Sequence, residues 1–226
     1  MAGRARSGEV TRESPLEVRA PEVIRILSRA YRGATVALKF TTPLEMLVAT
    51  ILSAQCTDEI VNKVTQGPDG LFARYRTAKD YLAVPQDDLA AEIHSTGFFN
   101  QKAKSIQGAC RVIVEEFDGQ VPNRMEDLLR LPGVARKTAN IVLGNAYGKV
   151  DGIAVDTHVR RVSRRLGFTA EQDPDRVEQD LMRIVPKRKW FGFTYVLIDH
   201  GRAICKAPTP LCGNCPVNHL CPSSLV

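Results

Sequence analysis

Apolar residues recur at intervals of three and four along nearly the whole chain, and that period constrains the fold more than any other feature. Residues 99–117 show it best: Ala103, Ile106, Cys110, Ile113, Val114 and Phe117 fall on one face of a single helix. Thr42-Pro43-Leu44-Glu45 reads as a capping box with proline in the first turn, opening an apolar run to about Ala54. Asn123 is placed to cap a short helix over 124–130, and Asp173-Pro174 to start one that ends near Val185. Residues 190–204 are apolar enough for a buried helix. No stretch alternates long enough for a strand, and Ile153-Ala154-Val155 is too short to argue for one. The expectation is an all-α chain of about ten helices. The polar, glycine-rich Gly148–Gly152 is the nearest approach to a domain seam.

A net charge of +6 on 226 residues favours an anionic partner, nucleic acid before a membrane surface. No segment approaches the roughly 18 uninterrupted apolar residues of a membrane-spanning helix. The first fifteen residues are basic and polar, without the apolar stretch of an export signal, and Glu9 and Glu13 count against a transit peptide; they read as a tail. Six cysteines without an export signal are expected reduced or metal-bound rather than paired as disulfides.

Four of them close the chain as Cys205, Cys212, Cys215 and Cys221, a Cys-x6-Cys-x2-Cys-x5-Cys spacing. Structural zinc usually shows two close pairs. Here only the central pair is close, which suits a cubane with spread corners better. Spacing alone leaves an iron–sulfur cluster, zinc, and free or disulfide-bonded thiols open. Cys56 and Cys110 fall on expected apolar helix faces and read as packing residues.

Residues 131–140, LPGVARKTAN, place a glycine turn before a helix starting near Arg136. Unpaired N–H groups and the helix dipole there would bind phosphate, although on pattern alone an ordinary helix–helix connection is the better reading. Lys137 in the first turn reads, on its own, as a phosphate-contacting surface lysine. Asp156 is either the N-cap of a helix from Thr157 or a carboxylate that stabilises developing positive charge, and both can hold.

Taken together, Leu52-Ser53-Ala54-Gln55-Cys56-Thr57-Asp58, Leu131 through Asn140, Val155-Asp156-Thr157-His158-Val159-Arg160-Arg161-Val162 and the terminal cysteines resemble, in order, the signature segments of the helix–hairpin–helix DNA glycosylase superfamily. The similarity spans about Pro15 to Cys221 and is greatest to the iron–sulfur branch, the endonuclease III family. The resemblance implies base excision repair by a bifunctional glycosylase and AP lyase that removes oxidised pyrimidines and cuts the strand by β-elimination. It implies Lys137 and Asp156 as catalytic residues and a [4Fe–4S] cluster on Cys205, Cys212, Cys215 and Cys221. Gly133, Val134, Ala135 and Lys137 would grip the DNA, while Gln55 and Phe98 fill the gap left by the base; as a plain sequence feature, Phe98 reads equally as core. The family usually has glycine where this chain has Ala135, which would be strained at positive φ.

The implied layout is a six-helix domain over 36–149, with residues 1–35 and 150–226 forming a cluster domain and DNA across the cleft between. The expected partner is double-stranded DNA carrying an oxidised pyrimidine or abasic site, and the expected setting is a monomer on the nucleoid in a bacterial cytoplasm, with no membrane contact. An adenine-mismatch glycosylase is disfavoured by Lys137 and by the end of the chain shortly after Cys221. A cluster-bearing DNA-binding protein without catalysis is the rival from another class. The basic groups Arg160, Arg161, Arg164, Arg165 and Lys187, Arg188, Lys189 are expected to contact the DNA backbone, and His158 and His200 to be structural.

Overall fold

The computed structural model describes residues 10–226. Residues 1–9, part of the expected N-terminal tail, lie outside the described residues. The described residues hold twelve α-helices and no strand: α1 (Leu16–Ala30), α2 (Pro43–Leu52), α3 (Asp58–Thr65), α4 (Leu71–Arg74), α5 (Ala78–Ala83), α6 (Gln86–Glu92), α7 (Phe99–Glu116), α8 (Met125–Leu128), α9 (Arg136–Tyr147), α10 (Thr157–Arg165), α11 (Pro174–Ile184) and α12 (Trp190–Ala203). The count exceeds the ten expected partly because α4 is a single turn, too short for a period to show, while the short helix expected over 124–130 forms as the single turn α8. None of these helices is long and apolar enough to cross a membrane.

The chain divides into two compact units, one of residues Val36–Ala154 and one of Met1–Thr35 with Val155–Val226. In the first, α7 packs against α2, α5 and α6, and α2 packs against α9. The face expected on α7 is real: Ala103, Ile106, Cys110 and Ile113 are buried, with Val114 and Phe117 at its margin. Completely buried leucines and isoleucines dominate this core, so burial at about 25 cal/mol per Å² supplies most of its stability.

The helix starts are mixed. Asp173 caps α11 as expected, accepting from the N–H groups of Asp175 and Arg176 at 3.1 Å. Thr42 accepts from the Glu45 N–H at 3.2 Å, but the Glu45 carboxylate turns to Thr41, so only half of the expected box forms. Asn123 does not cap α8; Arg124 takes that position without a side-chain bond, and the Asn123 side chain accepts from Lys149 Nζ at 2.8 Å instead.

In the second unit α10 packs on α12, and α1 lies against α11 and α12. Beyond α12 the cysteine segment has no α-helix, only 3-10 turns at Cys212–Asn214 and Asn218–Leu220. Arginines hold it. Buried Arg19 donates to the carbonyls of Leu166 and Leu220, Arg161 to those of Cys205 (3.1 Å) and Gly201 (2.9 Å), and Arg165 to those of Lys206 (2.7 Å) and Pro208 (3.1 Å).

Candidate active site and cysteine cavity

The hairpin lies between α8 and α9. Leu131 and Val134 anchor it in the core, and the Val134 N–H donates to the Leu131 carbonyl at 3.1 Å. Gly133 between them has φ +79°, and a Cβ there would stand 2.6 Å from Ser105 Cβ, so backbone conformation and space both demand glycine. Ala135 is the N-cap of α9 at φ −94°, ψ 173°, ordinary extended backbone. The strain that alanine would suffer at positive φ does not arise. Val134, being buried, has only its backbone to offer a ligand, whereas Ala135 and Lys137 are exposed. Lys137 is the second residue of α9.

Beside the hairpin is a pocket lined by Gln55, Phe98, Lys102, Ser105 and Gly133. Gln55 (φ +52°) and Phe98 (φ +50°) are two of three described non-glycine residues with positive φ, and they share this one pocket. Left-handed backbone costs a bulky residue about 1–2 kcal/mol and concentrates where function needs a fixed geometry. Phe98 is 63% exposed, so the core reading of it fails. Cys56 is half-buried in the turn after α2 rather than on a helix face, while Cys110 is buried in α7 as expected. Sequence reasoning missed Lys102, for which the available signal is a lysine one residue from Ala103 on a buried stripe.

In the other unit, Asp156 is half-buried and caps α10, one carboxylate oxygen accepting from the Val159 N–H at 2.7 Å. Arg161 and Arg165 donate to cysteine-segment carbonyls, a structural role that the basic pattern did not reveal; Arg160 reaches the Gln172 carbonyl at 3.3 Å. The exposed turn Lys187–Lys189 keeps its outward charge. His158 lies 3.2 Å from Arg161 Nη2, and burial holds its imidazole below the usual range.

All four terminal cysteines line a single cavity with Arg165 and His200. Burial pushes the Cys215 thiol up to about 11 and raises that of Cys221, opposed by the N–H groups of Val217 and Ser223 respectively. Arg165 Nη1 also approaches Cys205 Sγ at 3.4 Å. His200, 1% exposed, spans from the Tyr31 hydroxyl (3.1 Å at Nδ1) to Cys215 Sγ (3.7 Å at Nε2), and burial lowers its imidazole to about 4. Tyr31 stands 169 positions away in sequence, which is why no pattern revealed this link. Among the described residues no three His, Cys, Asp or Glu side chains come close enough to hold one metal ion. The donor set is nonetheless chemically apt for a larger thiolate-bound group: four sulfurs, several N–H groups directed at them, and an environment that penalises uncompensated thiolates.

Residues 48–187 match the family described as HhH-GPD superfamily base excision DNA repair protein. An endonuclease III of Synechocystis is 57% identical over 206 residues, 91% of this chain and 93% of the relative. The chain belongs to the endonuclease III family. Members are base excision repair DNA glycosylases, and AP lyase activity is typical of them. Two solved structures extend the endonuclease III likeness to the fold: a non-covalent endonuclease III–DNA complex and a trapped endonuclease III–DNA covalent intermediate. Each has TM-score 0.87 and 42% identity, covering 92% of this chain and 96% of that one.

Proposed function

We propose that this chain excises oxidised pyrimidines from duplex DNA and then cuts the strand, with the Lys137 amine as nucleophile. The observation that carries the reading is Lys137 itself, exposed in the first turn of α9 directly behind an unstrained hairpin whose glycine cannot be replaced. Attack of the neutral amine on C1′ breaks the glycosidic bond, and the base departs with the electron pair and takes a proton. The opened sugar forms an imine with Lys137. The imine acidifies the C2′ proton; its loss breaks the C3′–O bond and releases the 3′ phosphate, and water then frees the lysine. The structural relative trapped as a covalent intermediate with DNA supports such a route.

The Asp156 carboxylate has one oxygen committed to the Val159 N–H, and the other is assigned to the positive charge that develops on the sugar. Backbone groups of Gly133, Val134 and Ala135 hold phosphate, while Gln55 and Phe98 occupy the space of the extruded nucleotide. Cys205, Cys212, Cys215 and Cys221 are the ligands of a [4Fe–4S] cluster, supported by the single cavity they share. Structural zinc usually takes two close cysteine pairs, whereas only Cys212 and Cys215 are close in this segment, which suits a cubane with spread corners. When bound, the cluster supplies four thiolate bonds that tie the segment together. The setting is a bacterial cytoplasm, with the protein acting as a monomer on the nucleoid.

A panel of duplexes containing thymine glycol, dihydrouracil or an abasic site tests the reading. All three are expected to be cut to a 3′ unsaturated aldehyde. Cleavage of the abasic duplex alone would overturn the glycosylase half, and release of base without cutting would overturn the lyase half.

A further inference from the structure

Lys102 carries a charge into the core. It is 4% exposed on the buried face of α7, beside Ala103 and Ile106. Burial pushes its ammonium below the usual lysine range, opposed by Cys56. A methionine would fill the same space without this desolvation cost, so the ammonium must do something that packing does not.

Its bonds suggest what that is. Nζ donates to the carbonyl of Leu52 at 2.8 Å and to that of Thr96 at 2.7 Å. Leu52 is the last residue of α2, and Thr96 the last of the 3-10 turn His94–Thr96. One cation therefore serves the C-terminal carbonyls of two helical segments, where the aligned peptide dipoles favour positive charge. Gln55 comes three residues after Leu52 and Phe98 two after Thr96, and both hold left-handed backbone. The Lys102 N–H also donates to the Phe98 carbonyl at 3.0 Å. Lysine, glutamine and phenylalanine line the same pocket. Left-handed glutamine and phenylalanine relax toward commoner conformations unless their surroundings over-determine them. The ammonium thus touches both segments at once.

We propose that Lys102 is a positioning residue that clamps the Gln55 and Phe98 turns to each other at the separation where both side chains enter the gap of an extruded base. The inference rests on the reading of Gln55 and Phe98 as the gap-filling pair. Lysine has no contact with the reacting atoms in this account; it acts through the two turns. Its loss misplaces both at once.

The test is a cycle of single-turnover base-excision rates on thymine-glycol duplex, with 2-aminopurine fluorescence opposite the lesion reporting the gap. The proteins are wild type, Lys102→Met, Gln55→Ala/Phe98→Ala and the triple variant, compared below the melting temperature of each. Lys102→Met is expected to slow excision about 100-fold, the scale of a displacement of roughly 1 Å, and to reduce the fluorescence change. Added to Gln55→Ala/Phe98→Ala it should cost less than about threefold, because its route is already gone. The full factor persisting in the triple variant, or wild-type rate and fluorescence in Lys102→Met, would overturn the proposal. A wild-type rate in Gln55→Ala/Phe98→Ala would instead sink the gap-filling reading, and the clamp with it. Should Lys102→Met fail to fold, Lys102→Leu, which likewise lacks a donor, takes its place under the same criteria.

Discussion

Within the Val36–Ala154 unit, α7 lies in a core of fully buried aliphatic side chains, and the irregular backbone at Gln55, Phe98 and Gly133 sits on its rim. In the Cys205–Cys221 segment of the other unit the arrangement is reversed. Regular structure there is limited to two 3-10 turns, and the backbone is tied down by Arg19, Arg161 and Arg165 donating to carbonyls. One region can hold strained turns because apolar burial fixes the frame around them. The other depends on polar bonds and on whatever its sulfurs bind. The two regions should therefore fail separately, and by different causes.

The largest expected effect follows from the cysteines. Cys215→Ala should abolish hydrogen-exchange protection across 205–221 while amides of α7 and α9 stay protected. Equal loss in both regions would break the comparison. Next is Gly133→Ala, which combines positive φ with a Cβ 2.6 Å from Ser105 and should cost about 2–4 kcal/mol in thermal melts. A cost under about 1 kcal/mol would mean the hairpin shifts freely, contrary to a rigid frame. Arg161→Met removes the side-chain donor of the Gly201 carbonyl and leaves that of Cys205 only the longer bond from Arg165 Nη1 (3.5 Å), and should cost about 1–3 kcal/mol, again read as exposure of 205–221 rather than of α7. Smallest is Phe98→Gly. Relief of left-handed strain at an exposed side chain should raise stability by up to about 1 kcal/mol while slowing base excision. Stability gained with no loss of rate would show that the strain serves nothing.

The all-α class and the α7, α11 and α12 helices were legible because periodicity and caps are local properties. α4 was not, because four residues make barely one turn and show no repeat, whereas α8 falls within the short helix expected over 124–130. At Asn123 a good cap residue lost to a competing bond from Lys149, which lies 26 positions away. Distance likewise hid the structural role of Arg161 and Arg165: as letters in a basic helix they read as surface charge, and only the fold brings the cysteine segment onto them. Ala135 shows the opposite error, since a departure from a family pattern looked costly until its backbone proved extended. Motif segments located the hairpin, Gln55 and Phe98, because residue order alone carries that information. Lys102, His200 and Tyr31 draw their meaning from partners that no short window contains.

The central claim is that an exposed amine behind the hairpin does the chemistry. It is tested most directly by borohydride reduction of the protein with an abasic duplex, followed by mapping of the cross-linked peptide. The account predicts a nucleotide bound to Lys137 and no cross-link in Lys137→Gln. A cross-link on another residue, or one undiminished in Lys137→Gln, would contradict it.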